Sequence, residues 1–134
     1  MTAERDLAVL LATMTPVRLP GEYVFTTVPV DAPTPSDALA TVVEPEGRSV
    51  VLPREAADRE GIGYDFVGAW ITLQVASALD AVGLTAAVSA RLGELGISCN
   101  VVAGHHHDHL LVPVDRADEA VAALVGLGPA GSVA

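Results

Sequence analysis

The stretch TVVEPEGRSVVLPREAAD, residues 41–58, returns about 60 positions later as NVVAGHHHDHLLVPVDRADEA, residues 100–120. Each copy runs through a Val-Val segment, a polar turn, an apolar segment closing on proline, and a run rich in alanine and acid. Val42 answers Val101, and Pro53 answers Pro113. A chain that repeats its supersecondary unit builds like halves around a common core. The repeat therefore divides the sequence into 1–63 and 64–134, and 134 residues suffice for one domain or for two small halves sharing a core. It also assigns HHHDH, residues 105–109, to the place that EPEGRS fills in the first copy, which is a hairpin turn.

The elements around the repeat follow from periodicity. Leu7, Leu10, Leu11 and Met14 at i, i+3, i+4 and i+7 predict an amphipathic helix over 3–14, stopped before Pro16. EYVFTTV, residues 22–28, is β-branched and aromatic and predicts a strand, while PVDAPTPSD, residues 29–37, has too many prolines for a helix. The first copy then predicts strands at 39–44 and 49–53 and a brief helix ending at Gly61. AWITLQVAS predicts a strand at 69–77. The stripe Leu84, Ala87, Val88, Leu92, Leu95 predicts a helix ended by Gly96, and ISCNVVA predicts a strand at 97–103. That strand–helix–strand unit should cross over right-handed, leaving its two strands parallel and close in one sheet. A strand at 109–114, a helix over Ala117–Val125 behind a cap at Asp115, and a loose tail GLGPAGSVA complete the chain. The first copy lacks a crossover helix, so the amino-terminal helix is expected to fill that vacancy on the sheet.

Charge and composition narrow the function. Seventeen acidic against 7 basic residues give a net charge of -10, which repels phosphate backbones and anionic lipid, so neither nucleic acid nor a membrane surface is an expected partner. The amino terminus has no secretory pattern and no apolar run reaches the length of a membrane span, so a cytoplasmic protein is expected. The single cysteine, Cys99, forms no internal disulfide and reads as a small hydrophobe.

Two segments hold candidate chemistry. In an extended stretch His105, His107 and His109 project to one side, a spacing that permits Zn²⁺ when the ligands converge; the favoured reading is nonetheless a turn, with no native metal or other cofactor. No activated nucleophile pairs with these histidines, and no enzyme activity is expected. The second segment, SALDAVGLTAAVS at 77–89, joins a strand to the long helix. Gly83 stands at the mouth of that helix, where free N–H groups and the dipole can hold a carboxylate, and Asp80 can meet an ammonium group. The alternative is that Gly83 only permits a tight turn and Asp80 only caps.

WITLQV, LDAVGLTAAVS, GISCNVV and AGHHHDHLLVP together resemble the small bacterial proteins that carry two ACT units in one chain, relatives of the amino-acid-binding ACT domains of the CASTOR arginine sensors. The ACT loop Asp-x-Pro-Gly-x-Leu is matched by Asp80 and Gly83, with Val82 in place of proline. The turn Ala-Gly-Tyr-Tyr-His-Asp-His is matched by His107, Asp108 and His109, with His105 and His106 replacing aromatics. The resemblance implies an α+β fold of two ferredoxin-like βαββαβ halves. Only about three strands per half are visible in the sequence, so a strand exchanged between halves or donated by another copy, as in a homodimer, is required. It also implies a non-catalytic regulatory protein binding a free amino acid or similar small molecule. By transfer the contacts are Asp80, Ala81, Val82, Gly83 and Leu84, then Ser98 and Asn100 on the neighbouring strand, and Thr26 and Thr27 in the first half. The alternative is an interaction or oligomerisation module whose sheet edges pair with another chain, with no working ligand site.

Overall fold

A computed structural model describes residues 6–75 and 81–127. The end of the strand predicted to reach residue 77, the candidate Asp80 and most of the tail expected to be loose lie outside those residues.

Seven strands form one sheet: β1 (Thr15–Arg18), β2 (Tyr23–Val28), β3 (Ala40–Glu44), β4 (Gly47–Pro53), β5 (Phe66–Gln74), β6 (Asn100–Ala103) and β7 (Asp108–Pro113). The order is β3-β4-β2-β5-β7-β6, with β1 also on β5, and every pairing is antiparallel. The four helices are α1 (Leu7–Thr13), α2 (Arg54–Glu60), α3 (Leu84–Glu94) and α4 (Ala117–Val125). The fold is α+β, with two ferredoxin-like halves.

The missing fourth strands are found in β5 and β1. Residues 66–68 of β5 lie beside β2 and complete the sheet of the first half. Residues 71–74 of the same strand pair with β1, which completes the second. Strands β1 and β2 are successive parts of one path along β5. Arg18 stands opposite Ile71 and Tyr23 opposite Gly68, so residues 19–22 span only Ala69 and Trp70. That excess is a bulge, held by the Leu19 N–H donating to the Trp70 carbonyl at 2.9 Å. The sequence reading missed β1 because Pro16 marks a helix stop. Proline is tolerated in an edge strand, and only β5 pairs with β1.

One face of the sheet carries the helices. Around the second half, Ala69, Ile71, Leu73, Leu110 and Val112 are buried against Leu84, Val88 and Leu92 of α3 and Ala117, Ala120 and Leu124 of α4. Leu10 of α1 and Met14 join this same cluster, and Asp6 caps α1 by accepting from the Val9 N–H. The amino-terminal helix therefore does not fill the first half's vacancy; its apolar stripe is used up on the second half. Instead the loop 29–39 occupies the first half's crossover, tied down by Arg59–Asp37 at 3.0 Å and by Arg48 donating to Thr34 at 2.6 Å. Beneath it Val24, Val50 and Leu52 pack on Ala56 and Ala57 of α2.

The opposite face holds Tyr23, Val51, Trp70 and Leu111, with Phe25 and Phe66 against them, all from strands. Gly68 lets this layer close: a Cβ there would stand 2.7 Å from Phe66 and 2.9 Å from Leu111. Strands β5 and β6 are parallel, both being antiparallel to β7, which is inserted between them. Asp115 does not cap α4. It lies in a 3₁₀ turn, Val114–Arg116, whose Arg116 donates to the carbonyls of Leu95 and Gly96 at the end of α3.

Candidate functional site

The entry to α3 and the turn leaving β6 meet at one end of the sheet. The loop 81–83 enters α3 there, and residues 104–107 turn the chain into β7. Between them lies a cavity of about 210 Å³. Ala81, Gly83, Leu84 and Thr85 line one side, and Ala103, Gly104, His105, His106, His107 and Asp108 the other. The two stretches that the sequence singles out separately are thus the two walls of one site.

Each wall has a local cause. Gly83 is the N-cap of α3 with φ 107°, a conformation that side-chain-bearing residues rarely adopt, and among the described residues no side chain caps the helix. The first-turn N–H groups have no partner inside a helix, and Leu84 and Thr85 of that turn line the cavity. The space at Gly83 is filled from within: a Cβ there would stand 3.0 Å from Leu7 of α1. The glycine makes room for the amino-terminal helix while itself lining the cavity. On the other wall the Gly104 N–H donates to the His107 carbonyl at 2.9 Å, closing the turn. Thr85 donates to Asp108 at 3.4 Å and joins the walls.

The histidines have separate roles. His105 and His106 are exposed at the bend, with their rings edge to face at 4.8 Å. His107 is half-buried, and its Nδ1 is buried without a hydrogen-bond partner among the described residues. His109 leaves the site altogether. Its Nδ1 lies 2.9 Å from the Thr72 hydroxyl and its ring stacks on Trp70, with centroids 4.9 Å apart. The side-by-side projection of His105, His107 and His109 expected of an extended stretch is lost because 104–107 is a tight turn. Among the described residues no three potential ligands converge for a metal ion. Cys99 is half-buried at the edge of the core, and burial pushes its thiol up, which disfavours the thiolate.

Val82 sits between two lining residues but is 82% exposed and lines nothing. Ser98 and Asn100 are exposed near the far end of β6, away from the cavity. Thr26 donates to the Gly63 carbonyl at 2.6 Å, and Thr27 is exposed on β2; both belong to the first half. Thr85 and Gly104, which also line the cavity, were not singled out in the sequence, and His106 and Asp108 were read only as parts of a turn. The signal for joining the turn to the loop was the parallel pair of strands, which puts both at the same end of the sheet.

At the corresponding place in the first half, the offset of 60 sets Arg48 where the second half has Asp108. The Arg48 guanidinium donates to the Thr34 hydroxyl and to the Ala32 carbonyl at 3.3 Å, clamping the loop down. The duplicated position is closed by a cation in one half and left open beside a carboxylate in the other.

Models of the ACT domain match residues 2–69 and 66–125, overlapping on the start of β5. The chain belongs to the ACT family. This tandem ACT protein is similar to a solved Vibrio cholerae protein described as of unknown function and a possible transport protein. The two are 42% identical over 90% of this chain and 94% of that one, with a TM-score of 0.79. An Agrobacterium tumefaciens protein shares the fold at 21% identity, with 86% and 89% of the two chains covered and a TM-score of 0.66. A structure of aspartokinase alpha and beta subunits does so at 13% identity, with 84% and 96% covered and a TM-score of 0.60. A search of curated proteins found no match. ACT domains are typically regulatory ligand-binding modules, and no described helix of this one is long and apolar enough to cross a membrane.

Proposed function

We propose that this tandem ACT protein is a non-catalytic sensor that binds one free amino acid in the cavity between the start of α3 and the β6–β7 turn. The observation that carries this reading is the pairing of opposite charges across a small cavity: uncapped N–H groups of α3 on one wall, the Asp108 carboxylate on the other. An amino acid bears a carboxylate and an ammonium on the same carbon. The helix end suits the first and Asp108 the second. Asp108 thereby takes the part that the sequence reading gave to Asp80.

ACT domains are typically regulatory ligand-binding modules, and that supports binding without chemistry. The free amino acid is the partner in this reading, and the cytoplasm is its compartment, since the single cysteine asks for no oxidising surroundings. Thermal unfolding of untagged protein against each of the twenty amino acids, with a chelator present, tests it. A ligand at a hundredfold excess over Kd stabilises the folded state by about 2.7 kcal/mol, a shift readily seen in so small a protein. One amino acid or a few related ones should raise the midpoint. No shift with any of them would end the sensor reading.

A further inference from the structure

The side-chain class of the ligand is written in the turn. Three of the chain's four histidines, His105, His106 and His107, line the cavity. Among the described residues the one carboxylate lining it, Asp108, is already engaged in the role argued above, and no lysine or arginine does so. The turn gathers imidazoles in a chain with 17 acidic and 7 basic residues. The walls offer imidazole donors and a helix amino terminus.

Resting on the amino-acid reading, we propose that the ligand is a dicarboxylic amino acid. Its ammonium meets Asp108, its α-carboxylate meets the first turn of α3, and its side-chain carboxylate meets the imidazoles at the tip of the turn. Neutral imidazole supplies one N–H donor, and protonated imidazole supplies two with a positive charge. A carboxylate accepts from either and is held more strongly by the charged form. A basic side chain is repelled by protonated imidazole, and an aromatic one leaves the donors without an acceptor. Among the described residues, the titratable groups lining the cavity with His105 and His106 are His107 and Asp108, and the His109 ring lies 3.3 Å from where a Cβ on Gly104 would sit. Histidine as a class is the side chain whose charge changes between about pH 5 and pH 8.

Calorimetric titration of the full chain with L-aspartate, L-glutamate, L-asparagine, L-glutamine and L-lysine, at about pH 6 and pH 8 and with chelator throughout, decides the matter. An acidic amino acid should bind at least about tenfold more tightly than its amide at the lower pH. That ratio should shrink at the higher pH. In the His105→Asn/His106→Asn double variant, whose positions are exposed and whose folding is checked by its melting curve, the ratio should fall towards one. Equal binding of acid and amide, tighter binding of lysine, or a ratio indifferent to the double substitution overturns the dicarboxylic assignment while leaving amino-acid binding intact. If none of these nor any other amino acid binds, the sensor reading itself has failed, and this inference with it.

Discussion

At position 109 an imidazole lies against the Trp70 ring and beside the Thr72 hydroxyl. Burial lowers its pKa below the ordinary histidine value, repulsion from His107 lowers it further, and the neighbouring Asp108 only partly opposes them. The unfolded chain then takes up this proton at a higher pH than the folded one. The stability His109 contributes is fully present above the unfolded value and is lost as pH falls through it towards the folded value. Urea melts between about pH 8 and pH 5 should therefore show stability falling with acid. In His109→Phe that fall should be smaller; an unchanged fall would place the acid sensitivity in other residues. Four histidines in five positions suggested one shared role, but the pleat of β7 sends His109 to the strand-only face while the turn keeps the others at the cavity. Only the register, with His109 opposite Thr72 and Val102, decides this.

Among the elements, those with a strong period were legible. The stripe that predicts α3 contains the residues that bury it, Leu84, Val88 and Leu92, and the loop of prolines at 29–37 forms no helix. The element whose partner was misread is α1. Its stripe was visible, but a stripe does not say which surface it covers, and Leu10 is buried completely in the core of the second half. Leu10→Ala should cost about 2–5 kcal/mol in chemical denaturation, the usual range for a large buried side chain. Since Leu7 of the same helix rests on Gly83, the variant should also weaken ligand binding. A variant with unchanged stability would show that α1 is not part of the core. Four-residue β1 carried too little pattern to be seen, and its proline pointed elsewhere.

For the whole molecule the consequence lies in β5, which serves both halves. Its first residues complete the sheet of the first half and its last residues hold β1 against the second. Fragments 1–63 and 64–134, expressed separately, should each fail to unfold cooperatively, because the first loses residues 66–68 and the second loses β1 together with Leu10 and Met14. Mixed, they should regain a cooperative transition; independent folding of either would mean that the halves do not depend on the exchange. The sequence by itself determined that this chain is two like halves, which local patterns announce because each segment's apolar period is set by its own pleat or helical turn. It also singled out the loop at 77–89 and the turn at 105–109. Only the tertiary structure decided that these segments are walls of one cavity, that Arg48 closes its counterpart and that β5 is shared. Those facts depend on pairing between strands far apart in the chain, and no local period records which strand will lie beside which.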